Sequence, residues 1–97
     1  MSEISKLTEL RKLMLAMERS LGLEELSPAE RDIFYAATEL ARETGNVQTT
    51  GLMEHALVAN ISRPTFFRAL KSLVEKGYLS SCRNAGRGRY VVHARDD

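Results

Sequence analysis

Between Glu3 and Leu21 the apolar residues Leu7, Leu10, Met14, Met17 and Leu21 fall at steps of three and four, the spacing of a seam along one helix. Leu13, Leu15 and Ala16 widen that face, so the helix is expected to meet two surfaces, its own domain and something else. Gly22 supplies a stop. Ser27-Pro28-Ala29-Glu30 then combines a serine cap, a proline in the first turn and a glutamate three residues after the cap. It predicts a helix that buries Ile33, Ala37, Leu40 and Ala41 and runs to about Thr44, where Gly45-Asn46 ends it. Val47 and Gln48 allow only a short strand.

Thr50 is positioned to cap a short helix to about Ala59, with Asn60 at a sharp turn that favours left-handed backbone. Ser62 caps the next helix, Pro64 lies in its first turn, Phe66, Leu70 and Leu73 form its buried face, and Lys76-Gly77 ends it. After Gly77 the period falls to two. Tyr78 to Arg83 and Arg89 to His93 predict two strands, joined by Asn84-Ala85-Gly86-Arg87-Gly88. The expected fold is mainly α with a small β-hairpin. It is read as a winged helix-turn-helix domain over residues 27–97, preceded by an N-terminal dimerisation helix and linker over residues 1–26.

Charge sharpens this picture. Residues 1–45 carry six Lys/Arg against nine Asp/Glu, a net of −3, and residues 46–97 carry eight against four, a net of +4. Between 61 and 95 the bases Arg63, Arg68, Lys71, Lys76, Arg83, Arg87, Arg89 and Arg95 face only Glu75, a net of +7, the footprint expected of a surface that meets phosphates. Ninety-seven residues suffice for one domain without a separate catalytic or sensing unit. No secretory signal or membrane span is recognised, and the lone Cys82 suits a reducing compartment, so a cytoplasmic protein is expected.

Catalysis finds little support. His55 and His93 lie on different elements and read as packed or surface residues, Cys82 as a small half-buried residue, and Glu24-Glu25 as a solvated linker pair. No metal or cofactor site is implied, and an enzyme is not expected.

The stretch from Ala56 to Leu79, with Ala56 in the first helix, the turn Ile61-Ser62-Arg63, Arg68-Ala69-Leu70 followed by Leu73, and the exit Glu75-Lys76-Gly77-Tyr78-Leu79, resembles winged helix-turn-helix transcription regulators of the MarR (multiple antibiotic resistance regulator) family. The resemblance covers about residues 27 to 93 and implies a sequence-specific regulator of double-stranded DNA. Three departures stand out. The chain stops after the wing, where similar regulators continue into helices that dimerise and frame a ligand pocket, so no small-molecule effector is expected. Leu57 and Val58 occupy positions usually polar in that family, and Phe67 a position where a small polar residue is common.

Burial of Phe66, Leu70 and Leu73 would turn Ser62, Arg63, Thr65, Phe67, Arg68 and Lys71 toward a major groove, while Arg87 and Arg89 at the hairpin suit a minor groove. Lys76 and Arg95 read equally as phosphate contacts or as plain surface charges. The seam Leu7, Leu10, Met14, Met17 and Leu21 reads either as a third face of the core or, preferably, as the contact of a homodimer. The competing expectation is an interaction module that binds a protein through Leu57, Val58 and Phe67.

Overall fold

The capping box at Ser27 is formed. In the computed structural model, which describes residues 2–81 and 88–93, Ser27 Oγ accepts the Glu30 amide at 3.2 Å and the Glu30 carboxylate accepts the Ser27 amide at 2.7 Å. This box starts α2 (Pro28–Leu40), the second of four helices among the described residues. It follows α1 (Glu3–Ser20) and a 3-10 turn at Leu23–Glu25, and precedes β1 (Asn46–Gln48), α3 (Thr49–Glu54), α4 (Arg63–Glu75), β2 (Leu79–Ser81) and β3 (Arg89–Val92). The strands form one antiparallel sheet in the order β1-β3-β2, with Val47 opposite Tyr90 and Ser80 opposite Val91. The chain is therefore mostly helical with a small three-stranded sheet; β1 completes the sheet beyond the expected hairpin.

Several expectations need correction. The helix α2 stops at Leu40 rather than near Thr44, and Leu40 is 38% exposed rather than buried, its tip lying over Gly51 at the margin of the core. Turns then carry the chain to Gly45, whose φ of 83° is left-handed. The cap of α3 is Gln48 rather than Thr50, and its side chain accepts no capping bond. Thr49 works across the sheet instead: its amide and hydroxyl both donate to the Gly88 carbonyl, at 2.8 and 3.0 Å. Nor does α3 reach Ala59. His55 leaves the helix with ψ of 143°, and residues 56–60 form a turn in which the His55 carbonyl accepts the amides of Val58 and Ala59. Asn60 needs no left-handed backbone, since every described residue with positive φ is a glycine.

From Ser62 to Gly77 the structure follows the reading closely. Ser62 Oγ accepts the Thr65 amide at 3.4 Å, Pro64 lies in the first turn of α4, and Gly77 (φ 88°) closes it. Amides of Gly77 and Tyr78 return to the carbonyls of Val74 and Leu73, the bond pair of a Schellman end. Tyr78 sits before β2 rather than in it, buried with its ring edge-on to Phe34 at 5.2 Å. His93 lies just beyond β3 and bonds Ser80 Oγ through Nε2 at 2.8 Å. Cys82, Arg83, Arg87, Arg95 and the hairpin tip lie outside the described residues.

The core joins Ile33, Phe34 and Ala37 of α2, Leu52 of α3, Phe66, Leu70 and Leu73 of α4, and Tyr78 and Leu79. Leu23 and Leu26, from the segment that reads as a linker, also join it, while Glu24 stays exposed and pairs with Arg19 at 3.4 Å. No residue of α1 belongs to the core, and only Glu18 of that helix is buried. The seam is not a third core face. Among the described residues, eight of the eleven exposed large apolar side chains lie between Ile4 and Leu21, with Leu7 60%, Leu10 58% and Met17 56% accessible. The radius of gyration is 14.4 Å, against about 12.5 Å for a compact chain of this length. The projecting α1 accounts for the excess.

Glu30 does more than cap. It is 5% exposed, and Lys76, at the end of α4, reaches both its oxygens at 3.1 and 3.2 Å. Burial by itself would raise its pKa, but hydrogen bonds from Ser72, the Ser27 amide, Lys76 and the Ser27 hydroxyl outweigh that and bring it down from 4.5 to about 2. A depressed carboxyl pKa contributes stability that is complete above the unfolded value and is lost as pH falls toward the folded one. Acid unfolding should therefore include a loss on the order of 1–3 kcal/mol between pH 4.5 and about 2. Glu30→Gln should flatten that window in chemical denaturation; an unchanged acid limb would refute the assignment.

Candidate nucleic-acid interface

Ser62 sets the direction of α4, and the apolar residues set its rotation. Phe66, Ala69, Leu70 and Leu73 are buried, so Phe67, Arg68 and Lys71 project on the opposite side, all exposed. Arg63 is exposed at one margin, above a small cavity it lines with Met53, Ile61 and Phe66. Thr65 sits half-buried at the other margin. Ser62 donates its hydroxyl to Thr65 Oγ1 at 2.9 Å besides accepting the Thr65 amide, so its side chain is occupied as a cap.

The cations fall into two sets. Among the described residues Arg63, Arg68 and Lys71 form no ion pair. Arg68 leans back along α4, its Nε 3.5 Å from the Pro64 carbonyl, and lines an open groove of about 340 Å³ with Thr65, Ser72 and the first turn of α2. Lys76 and Arg89 are committed. Lys76 holds Glu30 while its side chain stays 42% exposed. Arg89, half-buried on β3 opposite Gln48, donates from Nη1 to Asn46 Oδ1 at 2.9 Å, which ties the base of the hairpin to β1. Arg87 lies outside the described residues.

Two positioning residues escaped the sequence reading. His55 Nε2 lies 2.5 Å from Glu39 of α2, and its Nδ1 accepts the Leu57 amide at 3.1 Å, so one ring pins the turn between α3 and α4 to α2. The signal is non-local and no spacing rule announces it. Thr49 is the other. Gly88 has φ of 74°, and a β-carbon there would meet Thr49 Oγ1 at 3.2 Å. Val58, read as a partner contact, is instead 2% exposed and plugs the core beneath this turn; Leu57 and Phe67 remain 47% and 45% exposed.

No helix among the described residues is long and apolar enough to cross a membrane. Comparison with protein-family models, curated proteins and solved structures finds no match to this chain.

His55→Ala should free the turn and leave the buried Val58 plug less well held, at a cost on the order of 1–2 kcal/mol. Gly88→Ala should cost a similar amount through its left-handed φ and its crowding of Thr49. Urea midpoints check both; a change under about 0.3 kcal/mol for either variant would remove its positioning role.

Proposed function

We propose that the chain is a winged helix-turn-helix transcription regulator, similar to the MarR family, that binds duplex DNA as a homodimer. The observation that carries this reading is the set of uncompensated cations on the outer side of α4: Arg68 and Lys71 face away from the core with Arg63 at the margin, while the other described cations of the basic half are consumed internally. In this reading α3, the His55 turn and α4 are the helix-turn-helix, and β2 and β3 are the stem of the wing. Arg63, Arg68, Lys71, Thr65 and Phe67 then lie along the major groove, where arginine pairs with guanine and Phe67 makes apolar contact. Arg87 at the tip would enter the minor groove. Arg89 acts mainly by holding the wing to Asn46.

Dimerisation rests on α1. Burying the exposed half of the seam and its flanking apolar side chains on each of two copies contributes on the order of 10–15 kcal/mol. This matches the upper range of the cost of associating two bodies. A two-fold dimer predicts palindromic half-sites about one DNA turn apart. A second reading, docking of a protein on Leu57 and Phe67, draws on their exposure; the burial of Val58 reduces that patch.

Binding to random-sequence duplex at rising salt separates the two. Affinity at low salt that falls steeply with salt is expected, and its absence would sink the DNA reading. Lys71→Ala should weaken binding about equally on all sequences and lower the salt slope by about 1, whereas Arg68→Ala should relax sequence preference. Arg68→Ala with Arg87→Ala should abolish selective binding; full affinity in that variant would overturn the docking geometry.

A further inference from the structure

The C-terminal end of α1 borders an apolar groove of about 300 Å³ lined by Met14, Met17, Glu18, Leu21, Leu23 and Tyr35. One polar pair lies in it. Tyr35 donates its hydroxyl to Glu18 Oε2 at 2.5 Å, and burial together with that carboxylate holds the Tyr35 hydroxyl well above its ordinary pKa, so it stays a donor. Glu18 is 5% exposed, and among the described residues no Lys, Arg or His comes within ion-pair distance of it. A buried carboxylate answered by a single hydroxyl is a costly arrangement, since buried charges are normally met by a countercharge. Seven residues earlier, on the same side of α1, Arg11 is exposed and makes no ion pair among the described residues.

In heptad terms Leu7, Met14 and Leu21 take position a, Leu10 and Met17 position d, Ile4, Arg11 and Glu18 position e, and Lys6, Leu13 and Ser20 position g. Three alignments keep the apolar layers together. A parallel pair sets Lys6 of each copy against Arg11 of the other, two like-charge contacts. An antiparallel pair with Leu7 on Met17 and Leu10 on Met14 sets Arg11 against Arg11, leaves Leu21 beside Glu3, and leaves the groove open. The remaining antiparallel register has as many layers and removes each fault.

We propose that the groove is the seat of a second copy of this chain, its α1 running antiparallel so that Leu10 of the second copy packs on Leu21, Met14 on Met17, and the Arg11 guanidinium meets the Glu18 carboxylate. The same register carries Ile4 and Leu7 of each copy beyond Ser20 of the other, onto Leu23 and Tyr35, and so covers the most exposed apolar residues of α1. Charge complementarity selects this occupant: the face offers an unanswered carboxylate, and the second copy presents an unanswered guanidinium one heptad away. The proposal rests on the homodimer reading above and adds its orientation, register and deciding ion pair.

The test uses the full chain. In sedimentation, Arg11→Gln should raise the dimer dissociation constant at least about tenfold. Glu18→Gln, which keeps an acceptor for Tyr35, should have a comparable effect alone and little effect when added to Arg11→Gln. In a Cys82→Ser background, chains bearing Leu10→Cys and Leu21→Cys should form a mixed disulfide, and Leu10→Cys alone should not cross-link to itself. Self-linking of Leu10→Cys, additive effects of the two glutamines, or a monomer at high micromolar concentration would overturn the register. DNA affinity measured on the same chains keeps the two readings apart. A monomeric or parallel chain with salt-dependent affinity overturns this register alone; a chain with the expected cross-link and no affinity overturns the DNA reading alone.

Discussion

The carboxylate of Glu30 closes the domain. It answers the Ser27 amide at the start of α2 and Lys76 at the end of α4, so one buried group fixes how the two main helices cross. A charge taken out of water is tolerated only when all its neighbours are donors, and here two hydroxyls, an amide and an ammonium serve that role. The apolar residues Phe66, Ala69, Leu70 and Leu73 decide which side of α4 faces α2 and the core, and therefore which cations are left outside.

From that clamp the basic half divides by role. Lys76 is spent on Glu30 and Arg89 on Asn46, each binding one element to another. Arg63, Arg68 and Lys71 have no such duty among the described residues. The turn before α4 is held just as firmly, by the His55 ring between Glu39 and the Leu57 amide and by Val58 beneath. A helix whose entry, exit and rotation are all fixed presents its outer side chains at low entropic cost to whatever meets them.

The first helix obeys a different rule. It contributes nothing to the core, exposes its apolar seam, and buries one acidic residue against Tyr35. Water disfavours such a surface.

Local order determined much of this protein in advance. The Ser27 capping box, the Ser62 cap with Pro64, the Gly77 exit, the buried positions of α4 and the seam of α1 are all written in spacings of three to five residues, because caps and helical faces are short-range physics. The basic cluster was legible for the same reason, since charge counts need no fold. What only the tertiary structure decided involves partners far apart in sequence: Glu39 with His55, Thr49 with Gly88, Asn46 with Arg89, Glu30 with Lys76 and Glu18 with Tyr35. Among these contacts Lys76 and Arg89 each join one element to another, a role their place in the sequence does not show. Which cation is free depends on which carboxylate or amide arrives beside it, and a pattern read along one chain carries no term for that arrival.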